Sequence, residues 1–331
     1  PEELQVFSSL HEKDGVFEAA PELWGNLLWD FQMAYFLGGR AANTATHTTE
    51  WGDTYLYLSF GEWWDPKLIS PQSYLNLMES IDKHFRDTVD PQPPRKVILF
   101  DYQGAPGQPE VKYMVDCYHY MAVWPVSSAT GQLVHHVFHT YSFFANKSKM
   151  GFSFSRPPGE YLSEGLPTYL ELVTTAQLTG ETLLPGKLVE FYALNARGAP
   201  WGIASNWHHV TYNVPALKVL SLDKHIRATT GGKGNLDTFI RNLWDVVKDK
   251  TAPAEVSNED LREAYTRTVG ASDTYLFDLG TRTEFRKADI ADLLPAFELY
   301  CDWIASAGFA RSRLLFLMYL DIVAAKGDVW P

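Results

Sequence analysis

Leu133-Val134-His135-His136-Val137-Phe138-His139, followed later by Tyr161-Leu162-Ser163-Glu164-Gly165-Leu166-Pro167-Thr168-Tyr169-Leu170-Glu171, is the stretch on which the reading of this chain turns. Leu133, Val134, Val137, Phe138 and Tyr141 recur as one apolar helical face. His135 and His139 are four positions apart, so on a helix they stand one turn apart on one face. That spacing lets two imidazoles reach a single zinc ion, which then needs a further ligand. Glu164 lies 25 positions after His139, at the start of the next helical pattern, and an antiparallel helix pair would bring it alongside. Glu171, seven positions on and on the same face, is the candidate for a carboxylate that orients a ligand histidine. A histidine pair at this spacing also serves packing or the surface. The Ser-Glu-Gly helix that follows supplies the missing ligand type in the right order.

Outward from this stretch the pattern divides. Residues 1–68 read as a β-rich segment: Phe31 to Phe36 is an apolar run closed by Gly38-Gly39, and Thr54 to Phe60 is aromatic and bounded by Gly52 and Gly61. Ser70-Pro71 offers a helix start, with Tyr74, Leu75, Leu77, Met78, Ile81 and Phe85 behind it and Pro91, Pro93 and Pro94 to end it. Val97 to Phe100 and Val111 to Trp124 read as strands around a turn at Gly104 to Pro109, and residues 145–160 as a loop. Helices are expected over residues 161–178, over residues 212–229 with Gly231-Gly232 closing the latter, from Asn235 to about Val247, and from a Ser257/Asp260 capping box. A mixed sheet leading into a helical bundle fits an α+β catalytic domain over 69–250, with a C-terminal helical segment over 251–331.

Composition narrows the function classes. Apolar residues are 46% and charged residues 21% of the 331, an ordinary globular balance. The net charge of −12, without basic runs, argues against nucleic acid and against an anionic membrane surface. The apolar run over residues 314–320 and 322–325 is broken by Asp321 and too short to span a bilayer, so a soluble chain is expected. It opens Pro1-Glu2-Glu3, without initiator Met or signal peptide, and reads as a processed or excised piece whose location stays open. Cys117 and Cys301 make no disulfide framework; they read as two unpaired core thiols ahead of a single bridge between them.

The quoted residues resemble the gluzincin metallopeptidases, whose pattern is HExxH, a spacer and an [NS]EG segment carrying the third zinc ligand. The glycyl aminopeptidase family is the nearest match and the large zinc aminopeptidases the next. Leu222-Asp223, Ile226-Arg227, Thr230-Gly231-Gly232 and Asn235-Leu236-Asp237 echo the glycyl aminopeptidase pattern LD..IR..TGG..SLDD, and the resemblance covers roughly residues 70–250. It implies a thermolysin-like catalytic domain behind an N-terminal β remnant. It also implies one Zn²⁺ per chain on His135, His139 and Glu164, and a peptide or peptide-like substrate bound along an edge strand near residues 113–126. Tyr212, in Tyr212-Asn213-Val214-Pro215-Ala216, aligns with the family's Tyr-x-Lys-Gly-Ala helix start, with Val-Pro in place of Lys-Gly, and would stabilise the oxyanion; packing is its other reading.

The chain departs from that pattern in two places. His136 stands where the family has its general base, the Glu after the first histidine. Imidazole accepts a proton near neutral pH, but its protonated form is repelled by a neighbouring Zn²⁺. Either His136 serves as the base, or the chain is a catalytically inactive relative that keeps zinc for structure or peptide binding. The family's Gly-rich motif for the substrate N-terminus is not recognisable in Met121 to Ser128, which leaves exo- and endopeptidase readings open. A helical interaction module without metal is the third possibility. His208-His209, beside Trp201 and Trp207, read as a solvated loop before a cleft wall, His119 as a sheet histidine, and Thr229 to Gly234 as a helix C-cap rather than a phosphate cradle.

Overall fold

Alternation in Thr54-Tyr55-Leu56-Tyr57 sets the first structural unit, because successive strand residues face opposite sides. The computed structural model describes residues 5–8, 11–13, 16–18, 36–39, 43–60, 71–89, 96–105, 108–115, 118–125, 134–135, 137–138, 159–180, 182–196, 209–248, 256–271 and 273–306. The chain divides into two units, one of residues 1–149 with 250–253, the other of 150–249 with 254–331.

In the first unit β1 (Gln5–Ser8) pairs with β4 (Phe36–Gly39), and β2 (His11–Lys13) with β3 (Val16–Glu18), both antiparallel. A five-stranded sheet follows in the order β5 (Asn43–Thr48), β6 (Thr54–Phe60), β7 (Lys96–Ala105), β8 (Gln108–Val115), β9 (Tyr118–Pro125). Only β6 and β7 run parallel, because helix α1 (Pro71–Thr88) carries the chain back between them. The sheet therefore crosses residue 68, where the sequence suggested a boundary. Gly52 turns the β5–β6 hairpin at φ 90°, a conformation that costs glycine least. Tyr55 and Tyr57 are buried, as are Leu75, Met78, Ile81 and Phe85 of α1, a stripe at helical spacing. Residues 31–35 of the first apolar run and the side chains of β7 to β9, His119 among them, lie outside the described residues.

A charged knot joins α1 to that hairpin. Arg86 reaches the buried Asp53 at 2.9 Å and the buried Asp82 at 3.3 Å. Trp51 Nε1 donates to Asp53 at 3.0 Å and the Tyr55 hydroxyl to Asp82 at 2.8 Å. Removing one member of such a set strands buried charge. Arg86→Met should therefore cost about 3–5 kcal/mol in denaturant unfolding, whereas Lys83→Met, whose two carboxylate partners are exposed, should cost under about 0.5 kcal/mol.

The second unit is helical among its described residues: α2 (Gly159–Thr179), α3 (Lys187–Ala196), α4 (Val214–Thr229), α5 (Leu236–Val247), α6 (Asn258–Val269), α7 (Tyr275–Thr281) and α8 (Leu294–Ser306). α4 is central: residues 215–217 and 219–223 are buried in near-continuous runs, as in a helix surrounded by others. It packs against α2, α3, α5, α6 and α7. Gly231 and Gly232, at φ 60° and 80°, end it as the sequence predicts. Asn235 Oδ1 accepts the Thr238 N–H at 3.0 Å to cap α5, and Ser257 with Asp260 forms the predicted capping box of α6. Cys301 is a free buried thiol, pushed up to about 11 by burial and then by the charges of Asp302 and Glu298, so it is protonated and unreactive at neutral pH. Cys117 and the segment after Ser306 lie outside the described residues.

α4 meets the loop before α7 through His225, whose ring stacks on Tyr275 at 3.7 Å and whose Nε2 lies 3.3 Å from Asp273. Burial raises the Asp273 pKa, but the Tyr275 backbone N–H, the Tyr265 hydroxyl and His225 together hold it below the usual value. A carboxyl with a depressed folded-state pKa contributes stability above its unfolded pKa and loses it as pH falls through the folded one. Wild-type melting temperature should accordingly fall more steeply below about pH 4 than that of Asp273→Asn.

Candidate functional site

Two prolines shape the backbone around Glu164. Pro167 sits inside α2 and has no N–H to give the Ser163 carbonyl one turn back. Pro215 likewise cannot serve the carbonyl of Thr211, and its ring crowds that carbonyl. The turn before α4 is accordingly a π-helix, His209–Asn213, where the sequence suggested an α-helix from Tyr212. This wider turn packs against α2, α3 and α4. Asn213 Nδ2 lies 3.4 Å from His209 Nδ1, and both side chains are buried, so His209 is not the solvated loop residue its sequence context suggested.

Gly165 brings α2 onto the start of α4. A Cβ there would stand 2.8 Å from the Pro215 carbonyl carbon and oxygen and 2.9 Å from its Cβ, so no larger residue fits without backbone movement. Glu164 immediately precedes Gly165, and Tyr212 lies three positions before Pro215, so the crossing sets carboxylate and phenol as electrostatic neighbours. The Tyr212 phenol is pushed up to about 12, first by burial and then by the charge of Glu164. It is therefore a protonated donor throughout the neutral range.

One turn along α2, the Tyr169 hydroxyl donates to Asp223 Oδ2 at 3.0 Å. Asp223 also accepts from Arg227 Nε at 2.9 Å and, through Oδ1, from the Leu236 N–H that opens α5 at 2.7 Å. Burial, then the charge and hydrogen bond of Asp223, raise the Tyr169 pKa well above its ordinary value. Asp223, Arg227 and Leu236 belong to the segment that echoes the glycyl aminopeptidase pattern, and in the structure they form one knot with Tyr169. Sequence reading gave Asp223 no role. Its signal was an acid set among the apolar positions of α4.

Of the other expected site residues, His135 is buried on a helical segment with Val134, Val137 and Phe138, whose ring lies 5.3 Å from Phe85. His135 belongs to the first unit, and Glu164, Glu171 and Tyr212 to the second. Glu171 is half-buried on α2. His136 and His139 lie outside the described residues, as do His208, Trp201 and Trp207. Among the described residues no group of three His, Cys, Asp or Glu side chains converges to hold a metal. The expected donor set, two imidazoles and one carboxylate, is of the kind zinc takes. No helix among the described residues is long and apolar enough to cross a membrane. No family model matches the chain, and no curated protein matches it.

Gly165→Ala should force α2 and α4 apart. An overpacking cost of about 1–3 kcal/mol is expected in denaturant unfolding, whereas Gly180→Ala, at a position with open space but φ +75°, should cost about 1–2 kcal/mol, the penalty of a left-handed backbone alone.

Proposed function

We propose that this chain is a zinc-dependent, peptidase-like hydrolase with a thermolysin-like, aminopeptidase-related architecture. The observation that carries the reading is the Gly165–Pro215 crossing, which packs the turn bearing Tyr212 against the helix bearing Glu164. It joins two of the three segments in which the sequence resembles gluzincins. His135, His139 and Glu164 would hold one zinc, with Glu171 orienting a ligand histidine. Bound zinc would supply Lewis-acid polarisation of a water and of the scissile carbonyl.

This chain's own side chains would do the rest. The Tyr212 hydroxyl, a phenol protonated at neutral pH, would donate to the oxygen that gains charge as the carbonyl is attacked. His136, in the position of the family's glutamate, would take the proton of the attacking water and pass it to the leaving amine. An extended peptide would add to β9, which among the described strands pairs with β8 alone. His136 in place of a glutamate also favours a second reading, a relative that keeps zinc and binds peptides without cleaving them.

Metal analysis of the purified chain should find about one zinc, lost on His139→Ala and on Glu164→Gln. Peptide hydrolysis should fall roughly 10²–10⁴-fold on His136→Ala while zinc stays bound. Tyr212→Phe should lower kcat about 10²-fold or more with little change in KM, as for loss of an oxyanion donor. Zinc without hydrolysis, with activity gained on His136→Glu, would establish the silent relative. A wild-type chain that binds no zinc would overturn both readings.

A further inference from the structure

The α2–α4 crossing is fixed at two places one α2 turn apart. At the first, the absent side chain of Gly165 admits the Pro215 backbone. At the second, the Tyr169 hydroxyl meets the buried Asp223 carboxylate. The first contact limits how closely the helices approach; the second is directional. A hydrogen bond of 3.0 Å from the Tyr169 ring to the buried carboxylate restrains both the rotation of α2 about its axis and its slide along α4. Asp223 is itself held from two further sides, by Arg227 Nε on its own helix and by the Leu236 N–H at the start of α5. Glu164 projects from α2 five positions before Tyr169. Tyr212 hangs from the π-turn that leads into α4. A small rotation of α2 would swing the Glu164 carboxylate away from the phenol.

We propose that Asp223 is a positioning residue for the Glu164–Tyr212 pair, acting through Tyr169 to fix the register of α2 on α4. The proposal rests on the reading of Glu164 as a zinc ligand and Tyr212 as the oxyanion donor. In this role Asp223 acts through Tyr169, not on the metal or the substrate. It sets where the third ligand stands, and its cost when lost falls on metal affinity and on kcat rather than on substrate binding.

The test uses the purified full chain, with zinc alone as the probe. Competition with a chelator should show zinc held roughly tenfold to hundredfold more weakly by Asp223→Asn, the range for residues that orient metal ligands. Tyr169→Phe, which deletes a single hydroxyl and keeps the ring, should reproduce most of that loss and serves where Asp223→Asn does not fold. The double variant should be no worse than Asp223→Asn alone, because both remove one coupled contact. Ser257→Ala removes the cap of α6 in the same unit and lowers stability without touching the crossing. Its zinc affinity should stay within about twofold of wild type, which separates positioning from general destabilisation. Crystal structures of wild type and Tyr169→Phe should show the Glu164 carboxylate further from the Tyr212 hydroxyl in the variant. Unchanged zinc affinity in both clamp variants, an equal loss in Ser257→Ala, or an unchanged Glu164–Tyr212 separation would each overturn the proposal. A wild-type chain without zinc affinity overturns the reading of the site alone, and the separation between carboxylate and phenol then decides the positioning role by itself.

Discussion

A single buried carboxylate, Asp223, accepts hydrogen bonds from three directions, and the helical unit is organised around it. Burying a carboxylate is unfavourable unless its oxygens are satisfied. Here the satisfying donors come from α2, from α4 itself and from the first turn of α5, so the requirement that Asp223 be solvated by protein becomes a requirement that three helices meet. The start of α5 gains in return, because the charge faces an N-terminal backbone N–H that has no partner within its helix. Arg227, half-exposed, brings the compensating charge from the solvent side.

The first unit uses the same principle with more charge. Asp53 and Asp82 are both buried and share Arg86, with the Trp51 and Tyr55 side chains completing their hydrogen bonds. The knot holds the β5–β6 hairpin to α1, the helix that makes β6 and β7 parallel. In both units the polar contacts specify which elements meet and at what angle. The apolar stripes around them, Leu75 to Phe85 in α1 and Ala216 to Ile226 in α4, supply the bulk of the burial.

The candidate site inherits its geometry from these contacts and from two prolines. Pro167 loosens the carbonyl ladder beside Ser163, and Pro215 withholds an N–H from the Thr211 carbonyl in the π-turn that carries Tyr212. Gly165 then lets the two backbones approach until carboxylate and phenol feel one another. Each of the three residues is an interruption of regular helix. Together they shape the backbone that carries Glu164 and Tyr212 where the two helices meet.

Much of this was legible in the sequence, where the code is local. The strand over Thr54–Phe60, the helix from Pro71, the cap at Asn235, the capping box at Ser257 and the glycine stop after α4 depend on residues within a turn or two of one another, and the sequence specified them. The candidate ligands were legible for the same reason: His135 and His139 stand at a helical spacing, and Glu164 follows in a Ser-Glu-Gly turn. The π-turn at His209–Asn213 was not, because a proline near a helix start fits an ordinary first turn equally well, and only packing against α2 and α3 selects the wider one. The sheet that runs past residue 68 was not, because pairing β6 with β7 is a contact between distant segments. The role of Asp223 was not, because its three donors lie at sequence separations of 54, 4 and 13. The sequence by itself determined the helices, their ends and the chemistry available on them. The tertiary structure decided which buried charge each helix must satisfy, and hence where Glu164 stands relative to Tyr212, because the cost of an unsolvated carboxylate is felt only when the helices come together.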